Sequence, residues 1–163
     1  MNELRVGLGV DAHAFAFEEA VPLVLGGVEV PAARGLAGHS DGDVIAHALI
    51  DALLGGAGLG DIGSLFPPGD PAWEDASSLE LLRLASAQMR EAGWELVNAD
   101  CVLIGEEPRI APLRAQMRER LAEAAGAGPE LVNVRATTTD RLGFTGRGEG
   151  LAAQAVALVR QRG

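Results

Sequence analysis

Apolar and polar residues alternate along the first thirty positions in the way that β-strands do. Apolar runs cover Leu4 to Val10, Val21 to Leu25 and Val28 to Val30, and Gly26-Gly27 separates the last two runs. Short apolar runs joined by a glycine pair predict strands connected by a tight turn. Residues 31–38 show no regular spacing and are expected to form a loop.

A helical period begins at Asp43. The residues from Val44 to Leu54 are apolar almost all round, as in a buried helix, and a glycine-rich segment follows them. Asp43, His47 and Asp51 interrupt the run at intervals of four, and residues four apart lie above one another on a helix. Because buried carboxylates and imidazoles are costly unless they are paired, hydrogen-bonded or bound to metal, we expect a partner group to face this polar stripe.

The second half of the chain begins with a helix and a strand. Ser77 with Glu80 three residues later is a capping-box pattern, which predicts a helix that ends at Gly93. Its inward residues are expected to be Leu79, Leu82, Ala85, Ser86 and Met89. The glycine- and proline-rich residues 59–70 before it are expected to form turns. Trp94 to Ile104 then predicts a strand.

The remaining elements repeat that order. Pro112 to Ala125 predicts an amphipathic helix, and Leu131 to Thr139 predicts a strand. Leu151 to Val159 fits a helix by its alanine content and a strand by its period of two. This order predicts one domain over residues 1–163, of the α+β class, with helices packed on one sheet.

Charge and composition exclude several partners. A net charge of −10 and a pI near 4.7 argue against nucleic acid or an anionic membrane surface as partner. Any bound phosphate must therefore be held locally, by metal, backbone amides or a few arginines. Cys101 is the one cysteine, so we expect a buried, unreactive thiol and no disulfide. With a strand expected from Leu4 and no long apolar run, we expect no leader and a soluble, cytoplasmic protein without a membrane partner.

Two histidines and a carboxylate suggest a metal site. Asp11 and His13 are two apart at the end of the first strand, so their side chains point to the same face. His47 on the helix would be a third ligand, and a zinc ion with three protein ligands keeps one position open, as catalytic sites do. The alternative is that both histidines are ordinary, partly buried side chains, but the two patterns together favour zinc.

Three other stretches contain short motifs that are typical of known sites. Gly38-x-Ser40-x-Gly42 matches the nucleophile elbow of serine hydrolases, but no strand precedes it and no histidine follows His47. The glycines of residues 55–60 have neither the spacing nor the context of a dinucleotide fingerprint. The stretch Thr137 to Asp140, with the glycine-dense residues 143–150, predicts a phosphate-binding rim in which Asp140 holds Mg²⁺. The alternatives are solvated threonines and a plain turn.

Four stretches in this order resemble the 2-C-methyl-D-erythritol 2,4-cyclodiphosphate synthase family of the non-mevalonate isoprenoid pathway. They are Asp11-x-His13; residues 39–43 with His47; residues 59–63 with residues 65–67; and residues 136–139 with residues 142–147. The resemblance implies ferredoxin-like subunits in a homotrimer with active sites between neighbours. It also implies conversion of 4-diphosphocytidyl-2-C-methyl-D-erythritol 2-phosphate to the 2,4-cyclodiphosphate and CMP. It favours a strand for the ambiguous residues 151–159.

The resemblance also implies roles for individual residues. Asp11, His13 and His47 correspond to zinc ligands, and Asp140 stands where the family has a Glu that helps to hold a second cation, Mg²⁺ or Mn²⁺. His39 and Thr138 correspond to the catalytic pair that stabilises the transferring phosphoryl group. The implied substrate-binding residues are Ser40, Asp61, Ile62, Gly63, Phe66, Asp70, Gly105, Pro108, Arg109, Ala111, Thr137, Thr139, Phe144 and Arg147.

The chain departs from the family at two places: Asp140 stands where the family has a Glu, and Pro68 stands where many members have an acid. Glu106 and Glu107 are unusual in the implied cytidine pocket, residues 105–111. Arg147 and Glu149 correspond to residues near the trimer axis. A zinc-dependent phosphohydrolase is the alternative function, since the same three ligands could activate water. A metal-binding scaffold without turnover is a further possibility.

Overall fold

A computed structural model describes residues 3–18 and 20–163, which form a mixed sheet covered by helices. The strands are β1 (Leu4–Ala14), β2 (Leu23–Leu25), β3 (Val28–Val30), β4 (Trp94–Ile104), β5 (Val132–Thr137) and β6 (Gly150–Gln161). The α-helices are α1 (Val44–Ala57), α2 (Ile62–Leu65), α3 (Ser78–Glu91), α4 (Arg114–Ala125) and α5 (Gly143–Gly146).

The main sheet has the strand order β1-β6-β4-β5, and β2 and β3 form a separate hairpin. β6 is antiparallel to both of its neighbours, whereas β4 and β5 are parallel. Parallel neighbours need a crossover connection, which α4 supplies. The ferredoxin-like expectation was wrong, because that plan has the order β-α-β-β-α-β. Here helices separate β1 from β4, β4 from β5 and β5 from β6 along the chain. In the sheet, β6 lies between β1 and β4.

The close contact between β1 and α1 depends on glycine. A Cβ atom placed on Gly7 would lie 1.8 Å from the carbonyl oxygen of Ala52, and one on Gly9 would lie 1.8 Å from that of Ala48. Any larger residue would push the helix away from the strand. The inward face of β1 continues from these glycines to Asp11 and His13, because side chains two apart share a face.

The helices cover one face of the main sheet, as expected, and the other face is open in the single chain. On β6, Ala153, Ala155, Ala157 and Val159 point into the core, which confirms the strand and its period of two. On β1, the alternate side chains point outward and are 55–68% exposed. We call these the outward apolar row: Leu4, Val6, Leu8 and Val10.

Element boundaries differ from the sequence predictions at several points. β5 ends at Thr137, two residues early, and the helix α4 begins after a 3₁₀ turn over Ala111–Leu113. Ser77 is the N-cap of α3, but its side chain makes no capping hydrogen bond. Two expected turns contain the one-turn helices α2 and α5. None of the helices in the described ranges is long and apolar enough to cross a membrane.

Candidate functional site

Asp11, His13 and His47 lie together where β1 passes the first turn of α1. Their ligand atoms are all within 4.8 Å of one another. Asp11 Oδ2 is 3.0 Å from His13 Nε2 and 3.1 Å from His47 Nδ1. A carboxylate and two imidazoles at this separation are a donor set suited to zinc, as the sequence predicted.

A backbone carbonyl orients the His13 ring. His13 Nδ1 is 2.6 Å from the carbonyl oxygen of Ala37, and a carbonyl can only accept a hydrogen bond. The proton of neutral His13 is therefore on Nδ1, and the lone pair of Nε2 faces Asp11 and the metal position. Metal-binding histidines commonly use their second nitrogen in this way.

The charges in the cluster are coupled. Burial opposes ionisation of Asp11, but its hydrogen bonds with His13 and His47 outweigh that effect and lower its pKa to about 2. The hydrogen bond with Asp11 in turn raises the pKa of His13. Asp11 is therefore a carboxylate throughout the neutral range, and it can neutralise part of a cation's charge.

The expected stripe of Asp43, His47 and Asp51 does not form one site. The Asp43 carboxylate is fully buried and accepts from the amides of Gly26, Gly27, Ile45 and Ala46, so it caps α1 and holds the β2–β3 turn. Asp51 accepts from the amide of Ile62 at 2.7 Å, at the start of α2. Backbone amides at the helix starts and in the turn therefore satisfy these two carboxylates. Only His47 joins the metal cluster.

The other nitrogen of His47 contacts two hydroxyls. Its Nε2 is 2.8 Å from Ser78 Oγ and 3.1 Å from Ser40 Oγ. Ser78, the first residue of α3, also donates from its amide and its hydroxyl to the Asp41 carboxylate. Sequence reasoning did not assign Asp41 or Ser78 to the site, because Ser78 reads as part of a helix start and lies far from His47 in sequence.

A cavity of about 320 Å³ opens beside the cluster, and we call it the metal-side cavity. Nine predicted site residues line it: Asp11, His13, His39, Ser40, His47, Ile62, Gly63, Phe66 and Asp70. Pro68 also lines it. Asp61 is not among the lining residues; its carboxylate caps α2 by accepting from the amide and hydroxyl of Ser64, both at 2.7 Å.

A second cavity, of about 1020 Å³, lies where β4 and β5 end, and we call it the arginine-lined cavity. Predicted site residues around it are Gly105, Pro108, Arg109, Ala111, Thr137, Thr138 and Arg147. Five more of its lining residues are charged: Arg34, Arg114, Arg141, Glu106 and Glu107. Five arginines thus outnumber two glutamates at this cavity, which favours an anion there in a chain of net charge −10.

Three predicted site residues near this cavity do not line it. Thr139 donates its hydroxyl to the carbonyl of Leu142 at 2.6 Å, so it holds the loop after β5. Phe144 is exposed on α5. Asp140 is exposed, and both Asp140 and Arg141 have left-handed backbone conformations, with φ of 52° and 66°. Glu106 accepts from the amide of Arg141 at 2.8 Å, which ties this loop to the end of β4.

The metal cluster and the threonine-rich loop belong to opposite edges of the sheet. β1 carries the metal cluster at one edge, β5 leads to Thr138 and Asp140 at the other, and two strands lie between them. With neighbouring strands ~4.8 Å apart, the separation is about 14 Å. Within the described part of one chain, the metal cluster and the threonine-rich loop are therefore not brought together.

Comparison with known proteins identifies the family. The model of the YgbB family matches residues 4–160. The chain belongs to the YgbB family. A YgbB relative from Rubrobacter xylanophilus, 2-C-methyl-D-erythritol 2,4-cyclodiphosphate synthase, is 58% identical over 99% of this chain and 98% of its own length. The protein of the same name from Moorella thermoacetica is 55% identical over 98% of this chain and 96% of its own length.

A solved structure supports the same assignment. IspF from Plasmodium falciparum, in a complex with CDP, superposes with a TM-score of 0.85 at 28% identity. The match covers 100% of this chain and 99% of that one. The fold of this YgbB member is thus similar to a relative that binds a cytidine nucleotide.

Proposed function

We propose that this protein is a 2-C-methyl-D-erythritol 2,4-cyclodiphosphate synthase of non-mevalonate isoprenoid biosynthesis. It converts 4-diphosphocytidyl-2-C-methyl-D-erythritol 2-phosphate to the cyclic diphosphate and CMP. The observation that carries this proposal is the Asp11–His13–His47 cluster, which opens on a cavity with His39 and Ser40 in a chain that matches synthases over nearly its whole length.

The reaction is an intramolecular phosphoryl transfer. The 2-phosphate oxygen forms a bond to the β-phosphorus, and the bond between that phosphorus and the oxygen of CMP breaks. Such a step needs positioning and charge neutralisation more than a covalent nucleophile. We assign His39 and Thr138 to donors for the transferring group and Ser40 to a phosphate anchor.

Two divalent cations fit the donors that are present. Asp11, His13 and His47 would hold Zn²⁺, which supplies Lewis-acid charge neutralisation at a phosphate oxygen. We assign a second cation, Mg²⁺ or Mn²⁺, to Asp140, since its exposed carboxylate directly follows the three threonines of the predicted phosphate-binding rim. The arginine-lined cavity, with Gly105 to Ala111 at its wall, is the proposed pocket for the cytidine diphosphate moiety.

The active site is proposed to form between copies of the chain. The metal cluster and the threonine-rich loop lie at opposite sheet edges, so a head-to-tail neighbour can bring its β5 edge to the β1 edge of the first. The outward apolar row is a long exposed apolar stretch on an edge strand, and such surfaces are usually covered by a partner. A closed ring of three copies, a homotrimer, satisfies both requirements.

Mixing two inactive variants tests the shared site. His47→Ala would remove the metal half and Thr138→Val the phosphate half. After denaturation and joint refolding of equal amounts, about one quarter of the sites would combine two intact halves, so about one quarter of wild-type activity should return. Separately refolded variants are the control. No recovery in the mixture, with trimers present, would contradict a site built from two subunits.

Phosphorus NMR of the purified protein with substrate, Zn²⁺ and Mg²⁺ tests the reaction. The expected products are cyclic diphosphate and CMP in equal amounts, lost on chelation and restored by added metal. Inorganic phosphate in place of the cyclic product would favour the phosphohydrolase alternative. Bound zinc with no product would favour a scaffold.

A further inference from the structure

Ser78 and Asp41 form a hydrogen-bonded chain behind His47. Ser78 is fully buried at the start of α3, and its Oγ lies between the Asp41 carboxylate and His47 Nε2. The amide of Ser78 also donates to Asp41, at 3.0 Å, so two bonds fix the serine against the carboxylate. The geometry brings α3, the loop before α1 and α1 itself together at one hydroxyl.

The direction of these hydrogen bonds follows from the chemistry of the groups. An ionised carboxylate can only accept, so the single hydroxyl proton of Ser78 is committed to Asp41. The Ser78 oxygen then has only lone pairs left for His47, and Nε2 must be the donor. His47 thus faces two acceptors, Ser78 Oγ at 2.8 Å from Nε2 and the Asp11 carboxylate at 3.1 Å from Nδ1. A metal bound beside Asp11 would take the Nδ1 lone pair and leave the proton of the neutral ring on Nε2.

We propose that Ser78 is a positioning residue, which together with Asp41 selects the metal-binding tautomer of His47 and fixes the orientation of its ring. This inference rests on the proposed zinc site. The Ala37 carbonyl orients the His13 ring in the same way, but it accepts from Nδ1 and not from Nε2. With metal bound, the two rings would thus be held in opposite tautomers, each binding through the nitrogen that lies next to Asp11.

Ser40 is the competing acceptor for His47 Nε2. Its Oγ is 0.3 Å farther from Nε2 than that of Ser78, at 3.1 Å against 2.8 Å, and Ser40 is only partly buried. It also lines the metal-side cavity. With Ser78 accepting from His47, the Ser40 hydroxyl remains free to donate to a substrate phosphate. The two serines are therefore assigned different tasks at one imidazole.

Zinc affinity, measured by competition with a chromophoric chelator, separates these tasks. Ser78→Ala should weaken zinc binding about 10- to 100-fold, the usual effect of losing a hydrogen-bond partner of a ligand. Ser40→Ala should reduce turnover and leave zinc affinity within about 3-fold. Equal zinc affinity in Ser78→Ala and the wild type would overturn the inference, as would a loss in Ser40→Ala of the size expected for Ser78→Ala.

Ser86→Ala is the matched control. Ser86 is also a fully buried serine of α3, but its hydroxyl has no hydrogen-bond partner among the residues that the structure describes. Its removal tests the loss of a buried hydroxyl from the same helix without the proposed role, so zinc affinity should not change. If Ser78→Ala does not fold, Asp41→Asn is the second variant, since an amide offers one acceptor where the carboxylate offers two.

Nitrogen NMR of histidine-labelled, metal-free protein provides a readout independent of activity. The wild type should show His47 protonated on Nε2, and Ser78→Ala should show a mixture of both tautomers. A wild-type His47 protonated on Nδ1 would overturn the inference even if zinc binds. A wild type that binds no zinc would instead contradict the proposed metal site on which the inference rests.

Discussion

The two halves of the proposed active site are built in different ways. In the metal half, every ligand lies on a regular element, and each ring has a partner for its second nitrogen. In the phosphate half, Thr138 and Asp140 lie on an exposed loop beside the larger, arginine-lined cavity. All three ligands of the metal half lie within one chain, whereas in the proposed trimer the phosphate half comes from a neighbouring copy. A small ion needs ligands at fixed distances, and regular elements hold side chains more firmly than an exposed loop does.

The largest effect is expected from the strand–helix contact beneath the metal half. In Gly9→Ala the new Cβ would meet the Ala48 carbonyl, so α1 must move away from β1 and the ligands separate. We expect insoluble protein, or a folded protein destabilised by at least about 3 kcal/mol with no bound zinc.

Gly55→Ala is the control for that change, because a Cβ on Gly55 would have no atom of residues 3–18 or 20–163 within 4 Å, its own neighbourhood in the helix aside. Alanine has a higher helix propensity, so thermal unfolding should move up or stay the same. Soluble, zinc-loaded Gly9→Ala protein with wild-type stability would contradict the proposed dependence of the metal half on this glycine.

The next largest effect is expected from the ligands themselves. His47→Ala should lose zinc, measured by atomic absorption, and should lose activity below detection, while the oligomer persists in size-exclusion chromatography. His39→Ala is the comparison, because His39 lines the same cavity but is not one of the three clustered ligands. It should retain zinc and lose turnover. Full activity of His47→Ala would contradict the ligand assignment.

A smaller effect is expected in the phosphate half. Asp140→Ala should reduce turnover by about 100-fold, the usual scale for one charge-stabilising group, with zinc content unchanged. Asp140→Glu, which supplies the residue of the resembling family, should keep most of the activity and can shift the preference between Mg²⁺ and Mn²⁺. Parallel loss of zinc and turnover in Asp140→Ala would indicate one metal site instead of two.

The smallest effect is expected at the bond that ties the phosphate loop to β4. Glu106→Ala removes the acceptor of the Arg141 amide and should raise KM several-fold, because two left-handed residues then lose a restraint. Glu106→Gln keeps an acceptor and should behave like the wild type. Steady-state kinetics with substrate in the presence of both metals measures the difference, and equal KM values for the two variants would contradict this role.

Much of the metal half could be predicted from local patterns. The periods of the strand and of the helix are enough to predict which faces Asp11, His13 and His47 occupy. The same reasoning was wrong for Asp43 and Asp51, because it could not know which backbone amides would lie opposite them. Likewise, Leu151 to Val159 remained ambiguous from composition, and its position between β1 and β4 resolves the segment as a strand.

The sequence by itself determined which chemistry is available: the ligand types and spacing, the phosphate-rim hydroxyls, the single thiol and the acidic charge. Burial in β4 raises the pKa of that thiol, Cys101, to about 12, as its apolar surroundings indicated. Only the tertiary structure decided that Ser78 meets His47 and that the two half-sites lie at opposite sheet edges. The reason is physical: periodicity reports the direction of a side chain relative to its own element, whereas distances between elements depend on strand order and on contacts such as Gly9 against α1.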